Sequence, residues 1–149
     1  MKQVQKSVLL WHSAAQMARL VADVPSYPAF LPWCAQGEVL SQAANITVAR
    51  LHMAFGGIAH AFTTRNESFD DQRMTMTLVD GPFSMLDGVW QFTPLGEPGA
   101  APGCRVEFDL RYAFASRTLD AVVAPVFDRI AVSLVDAFVA RADAVHGPR

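Results

Sequence analysis

The sequence predicts an α+β fold in which a curved antiparallel sheet of six to seven strands wraps around a long C-terminal helix. From Cys34 to Phe114 apolar and polar residues alternate, which is the period of strands buried on one face. From Ser116 to about Val145 the apolar residues recur at helical spacing instead. Because the helix stripe and the sheet face each need an apolar partner, we expect the two to pack together.

Composition limits what such a chain does. Its 149 residues suit one domain, residues 1–149, that buries about 70% of its unfolded surface. The formal net charge of −2 disfavours DNA binding, which depends on a positively charged surface facing the phosphates. Hydrophobic residues make up 52% of the chain, yet no apolar run approaches the ~20 residues of a membrane span. We therefore expect a soluble cytoplasmic protein with a large apolar interior or an apolar surface patch.

The N-terminal segment predicts one strand followed by two short helices. Lys2–Leu10 alternates loosely and forms the strand. Ser13 and Gln16 are a capping-box pair that starts the first helix. Pro25 ends that helix, and Ser26 caps a second, very short one. The first helix has one apolar face, which is formed by Met17, Leu20, Val21 and Val24.

Residues 27 to 34 are the most distinctive stretch of the chain, with three aromatic residues and two prolines in eight positions. Proline fixes φ and removes an amide donor, so this segment suits a short helical turn and loop rather than a long helix or a central strand. It presents rigid apolar side chains, which either cap the core or form the mouth of an apolar pocket. Cys34, at its end, and Cys104 lack metal-ligand spacing, so we expect both to be buried and reduced.

The middle of the chain predicts strands in sequence order. Gly56-Gly57 separates two alternating segments and indicates a hairpin turn. A turn centred there places Met53 opposite His60 and Leu51 opposite Phe62. Later strands alternate around a turn at Asp80-Gly81-Pro82, and their inward residues are Met74, Met76 and Leu78, then Trp90 and Phe92, then Cys104, Val106, Phe108, Leu110, Tyr112 and Phe114.

The C-terminal helix has two apolar stripes. The broad one faces the sheet and comprises Leu119, Val122, Val123, Val126, Phe127, Ile130, Leu134 and Phe138. A smaller one, Val132, Val135 and Val139, lies on the opposite side and indicates contact with a dimer partner or a membrane surface. Scattered exposed apolar residues are the alternative explanation.

A single helix fills the concave face of a curved sheet incompletely, so we expect a cavity between them. Methionine and aromatic side chains on the inner face suit variable apolar shapes. An ordinary packed core is the alternative. The residues predicted to line the cavity are Trp33, Met53, His60, Phe62, Met74, Met76, Trp90, Phe92, Phe108, Tyr112, Phe127 and Ile130, with Tyr27 and Phe30 at the lid or mouth.

Catalytic chemistry has few candidates. His60 and Tyr112 are the titratable residues expected on the inner face, and both also suit a structural role. No Ser-His-Asp order, metal-ligand spacing, phosphate loop or paired inner carboxylates occurs, so the chain is expected not to be an enzyme and to need no metal or cofactor. For a quinone, candidate donors to the ring carbonyls are His60, Tyr112, Trp33 and Arg65.

The chain resembles the START-like, helix-grip proteins of the coenzyme-Q-binding and ribosome-association-toxin family, from about Gln3 to Gly147. The resemblance lies in an ordered set of motifs. Its most specific part is the octet segment, residues 27 to 34, together with the Asp-Gly-Pro-Phe turn. These motifs are Leu20-Val21-Ala22-Asp23-Val24, Tyr27-Pro28-x-Phe30-Leu31-Pro32-Trp33-Cys34, Phe55-Gly56-Gly57, Phe62-Thr63-Thr64-Arg65-Asn66, Leu78-Val79-Asp80-Gly81-Pro82-Phe83, Trp90-x-Phe92-x-Pro94-Leu95 and Asp136-Ala137-Phe138-x-x-Arg141-Ala142.

This resemblance implies a helix-grip (START-like) fold with a deep apolar cavity, and three kinds of activity. Some members are ubiquinone binders that support respiration, some bacterial members are toxins that block joining of the ribosomal subunits, and the wider superfamily includes polyketide cyclases and dehydratases. A family fixes the fold better than the activity.

The function predicted from the sequence is non-catalytic binding of a hydrophobic ligand, ubiquinone or an isoprenoid lipid, in support of respiratory electron transfer. The first alternative is a toxin that binds the large ribosomal subunit, and the second is a cyclase-like enzyme. The expected partner is the small molecule itself. Two further partners stay open: a transient contact with the inner face of the cytoplasmic membrane, and the large ribosomal subunit. The chain is expected to be a monomer or a weak homodimer and to bind no DNA.

Overall fold

The computed structural model describes residues 1–55, 57–70, 72–96 and 103–147. Its strands are β1 (Lys2–Leu10), β2 (Cys34–Ala43), β3 (Ile46–Phe55), β4 (Ile58–Phe69), β5 (Arg73–Asp80), β6 (Phe83–Pro94) and β7 (Cys104–Phe114). Two α-helices, α1 (Ala14–Ala22) and α2 (Arg117–His146), and a 3-10 helix (Val24–Ala29) complete the described elements. Within these ranges no helix is both long and apolar enough to cross a membrane.

The strands form an antiparallel sheet in the order β1-β7-β6-β5-β4-β3-β2. The first and last strands of the chain pair with each other, from Lys2 opposite Tyr112 to Leu10 opposite Cys104. Every other pairing joins neighbours in sequence, as expected for a meander of hairpins. The predicted α+β architecture is therefore confirmed, with seven strands in the described part of the chain.

The predicted hairpin register is also confirmed, since Met53 lies opposite His60 and Leu51 opposite Phe62. Gly57 has a φ of +81°, which favours glycine at the turn. Gly56, the other half of the predicted turn, lies outside the described residues.

The capping box predicted for α1 is present. The Ser13 hydroxyl accepts a hydrogen bond from the Gln16 amide at 3.1 Å, and the Gln16 side chain accepts one from the Ser13 amide at 3.0 Å. The prediction that Ser26 caps the next helix was wrong, because that 3-10 helix begins at Val24 with Asp23 at its N-cap. Pro25 is tolerated in a first turn, so the helix starts before it rather than after it.

Helix α2 begins and ends close to the prediction, with Ser116 as its N-cap. Two parts of its predicted pattern were wrong. Val122 is 53% exposed, and Val135, assigned to an outward stripe, is only 1% exposed. Val135 is buried because α1 and β1 pack against α2 as well as β7 does, so α2 buries a wider face than the sheet alone would cover. Val135 and Ala142 are buried without lining the sheet-facing cavity, so they extend the predicted stripe sideways.

Both cysteines are free and buried, as predicted. Burial raises the pKa of the Cys104 thiol from 9.0 to about 11, and burial is also the main cause that raises the pKa of Cys34. Each thiol therefore keeps its proton at neutral pH and packs as a small apolar side chain.

Candidate functional site

An apolar cavity of about 70 Å³ lies between the concave face of the sheet and α2. Its walls come from the 3-10 helix and the residue before β2, from the inner faces of β3 to β7, and from one side of α2. The lining residues are Val24, Tyr27, Trp33, Ala49, Leu51, Phe62, Thr64, Asn66, Met76, Leu86, Trp90, Phe108, Leu110, Phe127, Ile130, Ala131, Leu134 and Phe138.

Small residues keep this space open. Ala49 on β3 and Ala131 on α2 are both buried and end at their β-carbon, so neither projects into the cavity. Gly88 on β6 lies opposite Met76 on β5. A β-carbon added at Gly88 would lie 2.5 Å from the terminal methyl of Met76. The methionine side chain therefore packs over the glycine, where β6 has no side chain. Met76, an unbranched side chain, fills the part of the wall that Gly88 leaves open.

An aromatic cluster joins the octet segment to the sheet and to α2. Trp90 packs on Phe108 with 4.3 Å between ring centroids and meets Phe138 edge-on at 5.4 Å. Tyr27 and Phe30 meet Phe138 at 5.4 Å and 5.2 Å, also edge-on. Such edge-to-face pairs stabilise a fixed arrangement, so the octet segment is anchored to α2 through one phenylalanine.

The lining carries few polar groups. The Thr64 hydroxyl donates to Asn66 Oδ1 at 2.8 Å, and both residues are buried on the inner face of β4. The Tyr27 hydroxyl donates to the Val21 carbonyl. Burial, the largest cause, raises the pKa of Tyr27, so this hydroxyl stays neutral across the physiological range. No lining residue among those described carries a formal charge at neutral pH.

The structure places seven of the twelve residues predicted for the cavity wall in that wall: Trp33, Phe62, Met76, Trp90, Phe108, Phe127 and Ile130. Tyr27, predicted for the mouth, is a buried part of the wall. Phe30 lies outside the lining and packs beneath the guanidinium of Arg141, 5.3 Å from the ring centroid.

Tyr112 is directed away from the cavity. Its hydroxyl donates to Asp128 Oδ1, while Lys2 Nζ lies 2.7 Å from Asp128 Oδ2. Burial and the neighbouring carboxylate raise the pKa of Tyr112. This cluster ties β1, β7 and α2 together, which is a structural task rather than a ligand contact.

Met74 and Phe92 lie under α1 instead of α2. They border a separate small space together with Ala18 and Ala22 of α1. The inner face of the sheet is therefore shared between two helices, and the single concave face assumed from the sequence is divided.

The remaining predicted residues are near the β3–β4 turn or on the surface. Met53 is buried and pairs with Cys34 across the β2–β3 ladder. His60 is half-buried and Arg65 is exposed, and neither lines the cavity. Of the four donors suggested for a quinone, Trp33 is therefore the one whose residue borders this space.

Sequence reasoning missed the polar pair, Thr64 and Asn66. The alternation of β4 contained the necessary information, because inward Phe62 requires that residues 64 and 66 also point inward. Neither residue is titratable, so its position in the alternation is the signal that marks it as inward. The small residues Ala49 and Ala131 were missed for a different reason, since an alanine has no property that separates a cavity from a close-packed core.

Comparison with known proteins places this geometry in a family. The family described as polyketide cyclase / dehydrase and lipid transport matches residues 10–139. The chain belongs to this family. The resemblance to START-like proteins drawn from the sequence is therefore confirmed, and the fold is one that binds hydrophobic molecules.

Two relatives show how members of the polyketide cyclase / dehydrase and lipid transport family differ. Ribosome association toxin RatA of Escherichia coli strain K12 is 39% identical over 149 residues, which covers 100% of this chain and 92% of that protein. Mitochondrial coenzyme Q-binding protein COQ10 homolog B of Xenopus laevis is 29% identical over 143 residues. That match covers 95% of this chain and 58% of the Xenopus protein.

Among solved structures, the Zhui aromatase/cyclase from Streptomyces sp. R1128 superposes with a TM-score of 0.79, covering 99% of each chain. Its sequence identity is 17%, so this likeness shows the fold alone. Toxins, coenzyme Q-binding proteins and cyclases thus share one architecture, and the function must be argued from the cavity.

Proposed function

We propose that this protein binds an apolar small molecule in the cavity between the sheet and α2 without transforming it, and that an isoprenoid quinone such as ubiquinone is the preferred ligand class. The observation that carries this proposal is the lining itself. Aliphatic, methionine and aromatic side chains from the sheet, the octet segment and α2 converge on one space that holds no formal charge among the described residues. An isoprenoid chain needs only such walls.

The proton chemistry of the lining favours binding over catalysis. A cyclase or dehydratase moves protons, which needs an acid or base whose pKa lies near the working pH. Among the described lining residues, Tyr27 is the titratable one, its hydroxyl is held by the Val21 carbonyl, and burial raises its pKa. His60 and Tyr112, the candidates from the sequence, lie outside the lining.

The size of the cavity implies that the wall opens when a ligand enters. Ordinary small-molecule sites enclose roughly 300–1,000 Å³, against about 70 Å³ here. Met76 is the lining residue best suited to move, because an unbranched thioether changes rotamer at little cost. The space left by Gly88 already accommodates its terminal methyl.

Quinone is preferred over other apolar molecules for two reasons. Flat rings pack well between indole and phenyl faces, and Trp33, Trp90 and Phe108 all border the cavity. The Xenopus relative is named a coenzyme Q-binding protein. A role in respiratory electron transfer is part of the proposal and follows from that ligand.

Tryptophan fluorescence tests the proposal directly. The chain has three tryptophans, of which Trp33 and Trp90 line the cavity and Trp11 is exposed. In a Trp11→Phe variant, a short-chain ubiquinone analogue should quench the emission of both cavity residues along a saturable curve. Weak quenching that rises linearly with concentration would indicate collisions in solution and would contradict the proposal.

Association with the large ribosomal subunit is the second candidate, favoured by the match to ribosome association toxin RatA along the whole chain. The sequence pI near 6.0 is low for an RNA-binding surface, so contact with a ribosomal protein suits this chain better. Sedimentation with purified large subunits through a sucrose gradient tests it. Co-sedimentation would support this role, and recovery of all the protein at the top of the gradient would exclude it.

A further inference from the structure

The amide of Asn66 has unused hydrogen-bonding capacity and lines the cavity, as do the indole N–H groups of Trp33 and Trp90, which also make none of the described side-chain hydrogen bonds. Asn66 is 8% exposed, and its Oδ1 accepts the hydroxyl proton of Thr64 at 2.8 Å. Its Nδ2 makes none of the side-chain hydrogen bonds found in the described part of the chain. Across those same residues, the fully enclosed side-chain nitrogen or oxygen atom without a partner is His12 Nδ1. The Asn66 Nδ2 is therefore unpaired but not enclosed, so it borders open space.

Asn66 is one of the residues that line the cavity. Asn66 lies on the inner face of β4 between Thr47 of β3 and Met76 of β5, and it lines the cavity with Thr64. The hydrogen bond from Thr64 uses Oδ1 and turns the two protons of Nδ2 away from the threonine. An amide held in this way offers donors and no free acceptor on that side.

An unpaired donor in an apolar cavity selects its ligand. A buried polar group without a partner is unfavourable, whereas one that meets a carbonyl oxygen recovers the hydrogen bond it lost to water. We propose that Asn66 Nδ2, oriented by Thr64, donates a hydrogen bond to a carbonyl oxygen of the bound molecule. The ligand is accordingly an apolar molecule that carries a hydrogen-bond acceptor rather than a pure hydrocarbon. This inference rests on the proposed function and specifies its ligand.

A matched pair of probes tests the hydrogen bond from Asn66 separately from the proposed binding of an apolar molecule. A decyl-substituted 1,4-benzoquinone and decylbenzene have similar shape, but only the first has carbonyl acceptors. Wild-type protein should bind the quinone at least about fivefold more tightly, which is the effect of one net hydrogen bond of about 1 kcal/mol. Asn66→Leu keeps the volume and removes the donors, so it should lose that preference while keeping its affinity for decylbenzene.

Thr63→Val is the control. Thr63 is also buried on β4, but its hydroxyl accepts from Arg50 Nε at 3.2 Å, away from the cavity, so the preference for quinone should be unchanged. If Asn66→Leu weakens both probes equally, the amide is structural and the inference fails while the proposed function stands. If wild-type protein binds neither probe, both fail.

Wild-type protein gives a second measurement, should Asn66→Leu not fold. In an amide-detected NMR spectrum, a side-chain NH₂ proton of Asn66 should move further downfield on addition of the benzoquinone than on addition of decylbenzene, because only the quinone accepts its hydrogen bond. Identical shifts with both probes, or no shift with the quinone, would overturn the inference.

Discussion

Filling the cavity should separate stability from ligand binding. Ala131 on α2 is buried and lines the cavity, so Ala131→Leu places three additional carbons in space that no atom occupies. A void of about 70 Å³ destabilises a core by about 2 kcal/mol, taking ~24 cal/mol per Å³. Strain from an imperfect fit offsets part of the gain. The free energy of unfolding should therefore be unchanged or higher by as much as about 2 kcal/mol.

Ala142→Leu is the matched control for this experiment. Ala142 lies on the same helix and is fully buried, but it is not among the residues that line the cavity. Added carbons in such a close-packed position should destabilise the fold by about 1–3 kcal/mol. Urea unfolding followed by circular dichroism measures both variants.

Ligand binding should respond in the opposite sense. Ala131→Leu occupies the space that the ligand needs, so affinity for the short-chain quinone should fall at least about tenfold, a change of about 1.4 kcal/mol. A variant that is as unstable as Ala142→Leu would show that the cavity is not empty space. A variant that is stable and still binds quinone as wild type does would place the ligand elsewhere.

Three further predictions concern the scaffold. Tyr112→Phe removes the hydroxyl that donates to Asp128. Because Asp128 is partly exposed, the free energy of unfolding should fall by only about 1 kcal/mol, and the quinone affinity measured by fluorescence should not change. A loss of quinone binding would show that Tyr112 contacts the ligand. The folded-state pKa of Cys104, about 11, lies above its ordinary 9.0, so the unfolded thiol ionises first. The contribution of this thiol to the free energy of unfolding should thus be complete below pH 9 and be lost, by up to about 3 kcal/mol, towards pH 11. Urea unfolding at a series of pH values should show a smaller pH dependence for Cys104→Ala. Ser13→Ala removes the acceptor for the Gln16 amide and should lower unfolding free energy by about 1 kcal/mol, and an unchanged urea midpoint would contradict the role of this cap.

The order of elements could be predicted because local patterns are nearly complete in this chain. Alternation along β7 assigns its inward residues correctly, and the cap at Ser116 marks the start of α2 within one residue. The glycine pair sets the register of the β3–β4 hairpin to the residue. Each of these features is decided by neighbours in sequence, so the sequence suffices.

The division of the inner face could not be predicted, because it depends on how two helices share one sheet. Val135 and Met74 were assigned with α2 as the sole helix on the sheet, and the packing of α1 changes the environment of both. Tyr112 lies on the predicted face of β7, but its hydroxyl meets Asp128 of α2, which is also bound by Lys2 from the other end of the chain. Whether a face packs closely or leaves a cavity is a property of the assembled layers.

Native mass spectrometry of the protein purified from its own host, alongside Ala131→Leu prepared identically, tests the central claim most directly. Wild-type protein should carry a non-covalent apolar molecule with a carbonyl group, recovered by organic extraction and identified by its mass, and the filled variant should be empty. A wild-type protein without ligand, or equal ligand in both proteins, would contradict binding in the cavity between the sheet and α2.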